Sequence, residues 1–200
     1  MAIKIFAFMP LYKFMDGPAV QQFAGMILDI ANKGDKLQIG FTQGMNVALA
    51  RNQLFEHIAT MPEDQWPDYI LTLDSDHAYS ATTLYSLIEK MEKHGLNNLA
   101  APYRVRGSRE LSMVKDGKNV FDSNLGTGVQ ECDCYGFGFN LFKPAFIKEL
   151  KDKFKTLFKM EGDTYCGEDF YFCNLVRKAG YKCYYDADNI MGHYCLVLNK

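Results

Sequence analysis

The run YILTLDSDH at residues 69–77 passes from an apolar stretch directly to two carboxylates and an imidazole. An apolar run of about four to eight residues between polar flanks is typical of a strand buried on both faces. Side chains alternate along a strand, so Asp74 and Asp76 are expected to share one face at its carboxyl end. Ligands of open α/β sheets bind outside this edge, so the run constrains both the fold and the position of a site.

Two carboxylates one residue apart suit a hard divalent cation that carries a substrate diphosphate. Mg²⁺ is commonly held by one or two carboxylates together with phosphate oxygens. A strand that ends in a polar turn would also explain the pattern, because Asp and Ser are common turn residues. On this run alone, Asp74 and Asp76 are compatible with both interpretations.

The alternation of strand-like and helix-like runs predicts the fold class. The strand-like runs lie at residues 4–9, 37–42, 69–73 and 98–105, and the helix-like runs at residues 20–32, 47–60 and 81–94. Pro10 is expected to end the first strand, Asn46 and Ser80 to cap helices, and Gly95 to end one. This order predicts an α/β fold, with a mostly parallel central sheet between helices in a Rossmann-like αβα sandwich.

Within residues 47–60, apolar side chains recur at helical spacing and predict one buried stripe. The stripe consists of Val47, Leu49, Ala50, Leu54 and Ile58.

The second half of the chain has a different pattern. Asp116-Gly117 between two short runs predicts a hairpin insertion. Residues 132–142 are strand-like and contain Gly136 and Gly138, and glycine inside a strand often marks a close approach of a ligand or another backbone. Helices are expected after Pro144 and at residues 167–180, followed by a last strand at residues 181–186.

Composition indicates one domain and excludes two functional classes. The chain has 200 residues, 48% of them apolar, and is expected to form a single domain over residues 1–200. With 22 basic and 24 acidic residues the net charge is −2, which is unlike the basic face of a nucleic-acid binder. No apolar run reaches the length of about 18 residues that a membrane span requires.

Six cysteines are present, but their spacing does not predict a zinc or disulfide framework. They are Cys132, Cys134, Cys166, Cys173, Cys183 and Cys195, and no two form a Cys-x-x-Cys pair. We expect free thiols in a reducing compartment, and therefore a protein of the cytoplasm of the producing or host cell.

Two further groups could take part in chemistry. Glu168 and Asp169 open a predicted helix, where the helix dipole stabilises acids, but a carboxylate there could also serve as a general base beside a bound diphosphate. His193 could be a surface or core histidine, or a third metal ligand next to the aspartates. An imidazole ligand would favour Mn²⁺ over Mg²⁺.

The motifs, taken in order, resemble those of GT-A-fold glycosyltransferases of the family 2 kind. They are Asp74-Ser75-Asp76-His77, Gly136-Phe137-Gly138-Phe139, Gly167-Glu168-Asp169-Phe170, Arg177-Lys178-Ala179-Gly180-Tyr181 and Gly192-His193. The resemblance extends from Lys4 to about Tyr194. In its small size the chain is similar to compact viral or phage members of the group.

The resemblance implies a metal site for a nucleotide sugar. Asp76 matches the direct metal ligand, His193 matches a third protein ligand, and Asp74 matches the residue that reaches the ribose or the metal through water. The metal, Mn²⁺ or Mg²⁺, would bridge the two phosphates of the nucleotide-diphosphate sugar.

The resemblance also implies roles for the remaining candidate residues. Asp169 matches the base of inverting members, and Glu168 would orient it or contact the acceptor. Gly138 would let the backbone approach the donor sugar. The residues expected to border the donor pocket are Pro10, Arg51, Tyr103 and Arg104. For the two arginines, a solvated surface charge is the alternative interpretation.

Two features depart from the family pattern. The small polar residues that usually follow the first strand are replaced by Met9-Pro10-Leu11-Tyr12, so the base of the nucleotide is not indicated. The chain also ends soon after His193. We therefore expect either a small acceptor or an acceptor site that a further domain or subunit supplies.

The function that the resemblance implies is transfer of a sugar to a hydroxyl of a glycan or another acceptor, with inversion. Residues 1–105 would form the nucleotide-binding part and residues 106–200 the donor and acceptor part. Retention of configuration stays open, as do a nucleotidyltransferase and a non-catalytic nucleotide-sugar-binding module. A nucleotidyltransferase would need a glycine-rich phosphate loop with a basic residue after the first strand, and MPLYKF does not provide one.

Overall fold

A computed structural model describes residues 1–11, 15, 17–160 and 167–194 of the chain. The strands in these residues are Lys4–Leu11 (β1), Lys36–Gln43 (β2), Tyr69–Leu73 (β3), Asn98–Ala100 (β4), Glu110–Lys115 (β5), Lys118–Phe121 (β6), Val129–Cys132 (β7), Cys134–Tyr135 (β8), Phe139–Phe142 (β9) and Cys183–Asp186 (β10). The helices are Gly17–Asn32 (α1), Val47–Thr60 (α2), Ala81–His94 (α3), Pro144–Lys153 (α4) and Glu168–Lys178 (α5), with short 3₁₀ turns at Glu63–Gln65 and Asp122–Asn124.

A seven-stranded sheet forms the centre of the molecule, in the order β2-β1-β3-β9-β4-β10-β7. β1 pairs in parallel with β2 and β3, and β10 pairs in parallel with β4. β9 is antiparallel to both β3 and β4, so those two strands run in the same direction. Five strands therefore point one way, and only β9 and β7 oppose them, which confirms the mostly parallel sheet.

Helices cover both faces of this sheet. Along β1, Ile5, Ala7 and Met9 belong to one buried cluster, which also contains apolar residues of α1 and α3. Phe6 and Phe8 belong to the other, together with residues of α2, α4 and α5. The alternation of β1 between two cores explains why its sequence is apolar throughout, and it confirms the αβα sandwich.

The predicted helix ends are confirmed at three positions. The Asn46 side chain accepts a hydrogen bond from the backbone N–H of Ala48 at 2.9 Å, and α2 begins one residue later. Ser80 caps α3 in the same way through Thr83. Gly95 ends α3 in the left-handed conformation, with φ at 62°, which glycine adopts without a steric cost.

The prediction that Pro10 ends the first strand is wrong. β1 continues to Leu11, and Pro10 is paired with Thr42 of β2. The pairing of β1 with β3 has already ended at Phe8, so Pro10 lies where β1 has a partner strand on one side. A missing backbone N–H is tolerated at such a position.

The single strand predicted over residues 132–142 is also wrong. The chain forms the end of β7, then β8, then β9, which lie in two different sheets. β8 joins β5 and β6 in a three-stranded sheet, and β9 returns to the large sheet. The break at residues 136–138 contains the two glycines, which lie against the ring of Tyr103.

The predicted hairpin is confirmed, and it is part of this smaller sheet. Asp116 and Gly117 both have positive φ values, 51° and 69°, at the turn between β5 and β6. Two successive residues of this kind match the twist of a two-residue hairpin turn, and Asp-Gly is a favoured pair for it.

Helix α2 differs from its predicted stripe. Leu54 is buried and Leu49 is 52% exposed. Its buried side also contains Ala48, Arg51 and Phe55. The buried arginine makes the face hard to recognise, because periodicity arguments count only apolar residues.

No helix in the described ranges combines the length and the apolar character that crossing a bilayer requires. Cys132, Cys134, Cys173 and Cys183 are free and buried. The other two cysteines, Cys166 and Cys195, and Tyr12 lie outside the described residues.

Two leucine-to-alanine substitutions on α2 test the corrected helix face. Leu54→Ala is expected to lower the free energy of unfolding by about 3–5 kcal/mol, because it removes buried methyl groups and leaves a cavity. Leu49→Ala, the matched control, should change it by less than about 0.5 kcal/mol. Urea unfolding of both variants measures the difference, and equal losses would contradict the assignment of the faces.

Candidate active site

Arg51 and three carboxylates form the centre of the candidate site. The Arg51 guanidinium lies 2.9 Å from Asp74 Oδ1, 2.5 Å from Glu168 Oε1 and 2.6 Å from Asp169 Oδ1. Arg51 comes from α2, Asp74 follows β3, and the other two acids open α5. One side chain thus joins the two acidic motifs that are far apart in the sequence.

Arg51 is a buried charge rather than a solvated one. It is 2% exposed, which excludes the alternative interpretation as a surface residue. Its guanidinium carbon lies 4.7 Å from the centre of the Phe137 ring, a distance typical of a cation–π contact. Burial opposes its charge, but Asp169, Asp74 and Glu168 outweigh that effect and hold the pKa of Arg51 above its ordinary value.

The carboxyl group of Asp169 has a raised pKa. Burial raises its pKa to about 7; Arg51 opposes this shift, and the neighbouring charges of Glu168 and Asp74 add to it. A carboxylate with this pKa can accept a proton near neutral pH.

A second cluster lies beside the first and consists of Asp76, His77 and His193. One ligand atom from each lies within 4.8 Å of the others. Asp76 Oδ1 is 2.9 Å from His77 Nδ1, and Asp76 Oδ2 is 3.4 Å from His193 Nε2. Burial tends to raise the pKa of Asp76, but its close contacts with the His193 and His77 imidazoles hold that pKa well below its ordinary value.

His77 is the most deeply buried member of this cluster. It is 1% exposed, and both of its ring nitrogens are buried without a well-aligned hydrogen bond in the structure. The His193 ring stacks on it at 4.4 Å with an interplanar angle of 10°. Two imidazoles and a carboxylate are donors that fit a borderline divalent cation such as Mn²⁺.

Backbone contacts orient His193 toward Asp76. Residues 77 and 193 form a bridge, and Tyr194 donates its N–H to the Asp76 carbonyl at 2.8 Å. His193 Nδ1 lies 2.8 Å from the Arg104 carbonyl oxygen. Because a carbonyl only accepts hydrogen bonds, Nδ1 carries the proton, and in the neutral ring Nε2 keeps its lone pair. This is the usual arrangement around metal-binding histidines.

Arg106 also contacts this cluster. Its Nη2 donates a hydrogen bond to Asp76 Oδ2, and its Nε donates one to His193 Nε2 at 3.1 Å. The side chain is 57% exposed.

Asp169 lies in the wall of two cavities. The first has a volume of about 460 Å³ and is lined by Pro10, Arg51, Asp74, Ser75, Asp76, Glu168 and Asp169, among others. The second has a volume of about 430 Å³, and its lining includes Tyr103, Leu111, Ser112, Met113, Tyr135, Asp169 and Phe170. The two cavities could hold two different molecules on either side of one carboxylate.

Of the remaining candidate residues, two line the cavities and two do not. Pro10 borders the first cavity and Tyr103 the second. The Arg104 guanidinium pairs with Asp122 at 2.7 Å, and it is the backbone of Arg104 that contacts the cluster. A Cβ on Gly138 would lie 2.6 Å from His77 Nε2 and 2.7 Å from the Tyr103 ring, so the absence of a side chain lets these two rings pack against its backbone.

Sequence reasoning assigned no role to His77 and Arg106. His77 directly follows the Asp-x-Asp pair, and an adjacent imidazole is a signal that could have been used. Arg106 lies among Arg104 and Arg109, and three arginines in six residues are unusual in a chain with a net charge of −2.

Replacement of Arg51 tests whether the buried ion pairs hold the site together. Arg51→Met is expected to lower the free energy of unfolding by about 3 kcal/mol at pH 8, because it leaves three facing carboxylates without their cation. The loss should shrink toward pH 5, because Asp169, whose pKa is about 7, is then protonated and adds no unbalanced charge. Urea unfolding at both pH values measures this.

Arg177→Met serves as the control, since Arg177 is 45% exposed and pairs with Asp133 at 3.3 Å. A loss below about 1 kcal/mol is expected there, with little dependence on pH. A similar result for Arg51→Met would contradict the role given to Arg51.

A scan against protein-family models and a search of curated proteins found no match. Solved structures do match over nearly the whole chain. The catalytic domain of Drosophila β1,4-galactosyltransferase 7 in complex with xylobiose has a TM-score of 0.56 at 13% identity, covering 99% of this chain and 74% of that one. A mutant of that enzyme in complex with manganese, UDP-Gal and xylobiose has a TM-score of 0.52 at 13% identity, covering 96% and 71%.

Staphylococcus aureus TarS in complex with UDP-GlcNAc has a TM-score of 0.53 at 16% identity, covering 95% of this chain and 58% of that one. Similarity at this level of identity establishes the fold. The chain has the GT-A fold of these glycosyltransferases.

Proposed function

We propose that this protein is a divalent-metal-dependent glycosyltransferase that moves a sugar from a nucleotide-diphosphate sugar to an acceptor hydroxyl, with inversion. The position of Asp169 carries the proposal. This carboxylate borders both cavities, lies against the buried Arg51, and has a pKa of about 7. The solved neighbours with manganese and UDP-Gal, and with UDP-GlcNAc, support the assignment of the reaction class.

In this proposal the first cavity holds the donor. Asp76 and His193 hold the cation, and His77 is a further candidate ligand because it belongs to the same cluster and its Nε2 is buried without a hydrogen bond. A bound divalent cation supplies Lewis-acid stabilisation of the leaving diphosphate. Asp74 reaches the ribose or the cation through water, and Pro10 borders the space for the nucleobase.

Arg51 positions the two acids that the reaction needs. It anchors Asp74 on the donor side and Asp169 between the cavities, at 2.9 Å and 2.6 Å. A third contact, with Glu168, uses the same nitrogen as the Asp169 contact and holds the first turn of α5 against α2. A base held in this way keeps its distance to the reacting hydroxyl, which is the main requirement of general-base catalysis.

Asp169 takes the proton of the acceptor hydroxyl. The hydroxyl oxygen then forms the new bond to the anomeric carbon as the bond to the diphosphate breaks. In this proposal the acceptor attacks from the side opposite the leaving group, and a single displacement inverts the anomeric carbon. Glu168 raises the pKa of Asp169 and so adjusts the strength of the base.

We assign the acceptor to the second cavity, which the small sheet and the start of α5 enclose. Tyr103, Tyr135 and Phe170 give it aromatic walls suited to the apolar face of a sugar ring. One solved neighbour was crystallised with xylobiose, which supports a glycan among the candidate acceptors. A further domain or subunit could extend this site.

In this proposal the two parts of the chain contribute to different cavities. Residues up to about 105 supply most of the donor cavity, and residues from about 106 supply the base and most of the acceptor cavity. The four free, buried thiols favour a reducing compartment, and we propose that the protein acts in the cytoplasm of the producing or host cell.

Substitution of Asp169 tests the base. Asp169→Asn should lower kcat by about two to four orders of magnitude, the usual contribution of a general base, while nucleoside diphosphate affinity stays nearly unchanged. In the wild type, kcat/KM should fall as the pH drops below about 7, because Asp169 becomes protonated. Single-turnover rates across pH 5–9 measure both effects.

Glu168→Gln is the matched control for this experiment. The variant keeps Asp169 as the base but removes the Glu168 charge, which raises the pKa of Asp169. The acid limb of the pH profile should therefore move to lower pH. Full activity of Asp169→Asn would show that another group takes the proton.

Calorimetric titration tests the donor and the metal together. Nucleoside diphosphates are titrated with and without Mn²⁺ into wild type, Asp76→Ala and the exposed-acid control Asp64→Ala. We expect Mn²⁺-dependent binding of one nucleotide to wild type and the control, and its loss in Asp76→Ala, because Asp76 is the carboxylate of the cation cluster. No binding of any nucleotide under either condition would refute the transferase proposal.

A further inference from the structure

Arg106 lies on the loop between β4 and β5, and its guanidinium spans two atoms of the Asp76 cluster. It donates to Asp76 Oδ2 and, over 3.1 Å, to His193 Nε2. The two acceptor atoms, Asp76 Oδ2 and His193 Nε2, lie 3.4 Å apart. Arg106 thus occupies the position of a cation between a carboxylate and an imidazole.

A divalent cation would need the same two atoms. His193 Nδ1 is committed to the Arg104 carbonyl, so Nε2 is the nitrogen that can bind either a metal or the Arg106 N–H. A lone pair that accepts a hydrogen bond cannot coordinate a metal at the same time. Arg106 and a metal ion at Asp76 and His193 therefore exclude each other.

Arg106 is able to leave this position. Its side chain is 57% exposed, in contrast to the 3% of Arg51. Gly107 follows it with φ at 69°, and the loop is closed on itself by a bond from Ser108 N–H to the Val105 carbonyl. The base of the loop stays fixed, because Tyr103 forms a bridge with Met191. Movement of Arg106 would leave the His193 anchor in place.

The charge of the first cavity indicates where a released Arg106 would bind. Four acids line this cavity, Asp74, Asp76, Glu168 and Asp169, and the arginine among them, Arg51, is already paired with three of them. A diphosphate would be repelled unless further positive charge arrives. A guanidinium matches phosphate oxygens with two parallel hydrogen bonds.

We propose that Arg106 and the divalent cation exchange at Asp76 and His193, and that the released guanidinium binds the donor diphosphate. The exchange rests on the proposed function, since it needs both the metal and the diphosphate. It makes Arg106 a substrate-binding residue whose availability depends on the metal. Arg106 would neutralise the Asp76 carboxylate before the metal arrives. It would then supply positive charge to the first cavity when the diphosphate binds.

The test is calorimetry on Arg106→Ala with two probes, MnCl₂ alone and inorganic pyrophosphate at saturating Mn²⁺. Loss of the competing ion pair should raise the affinity for Mn²⁺ by about two- to fivefold, the range for a partly exposed pair. Loss of the charged hydrogen bonds should weaken pyrophosphate binding by about tenfold or more. Opposite shifts from one substitution are not expected of a surface residue with a merely structural role.

Two variants serve as controls. Arg109→Ala removes the same charge from the same exposed loop and should leave both affinities unchanged within about twofold, because it does not contact the cluster. Arg106→Lys keeps the charge without the planar fork and should recover part of the pyrophosphate affinity. Amide hydrogen exchange at residues 104–109 should become faster when Mn²⁺ is added to wild type, and not in Arg106→Ala.

The outcomes separate this inference from the proposed function. If wild type and Arg106→Ala bind Mn²⁺ equally well, the exchange is refuted and the metal-dependent transferase stands. If Mn²⁺ binds more tightly to Arg106→Ala but pyrophosphate affinity is unchanged, the diphosphate role of Arg106 is refuted. If wild type binds no Mn²⁺, both the exchange and the metal dependence are refuted.

Discussion

The ion pairs of Arg51 are the interaction on which the candidate site depends. A side chain that is 3% exposed holds one carboxylate from the end of β3 and two from the start of α5. Removing a charged partner from a buried group of this kind is costly, so the three elements are tied to one arrangement. The same contacts place Asp169 between two cavities and, with burial, adjust its pKa to about 7.

Two arginines, at opposite extremes of burial, face the acids of this region. Arg51 has no solvent to return to, so its role is to hold groups in place. Arg106 is more than half exposed and makes its contacts from a loop, so its ion pair with Asp76 is weaker and reversible. In the proposed exchange, Arg51 would keep the site assembled while Arg106 gives way to the cation.

Local features of the fold were predictable where one short segment decides them. The buried strand at Tyr69–Leu73, the caps at Asn46 and Ser80, and the Asp116-Gly117 turn all follow from neighbouring residues. Errors arose where a distant partner decides the outcome. Pro10 stays in β1 because β2 continues beside it, and residues 132–142 divide between two sheets at glycines that lie against Tyr103, a residue about 30 positions away.

The order of motifs in the sequence determined the fold class and named most of the candidate acids, since each motif is a local pattern of strand, turn or helix start. Only the tertiary structure decided how they combine. It inserted β9 between β3 and β4, buried Arg51 among three acids, and brought His193 and Arg106 to Asp76 and His77. Such contacts join residues tens of positions apart, and local periodicity carries no information about which distant surfaces will pair.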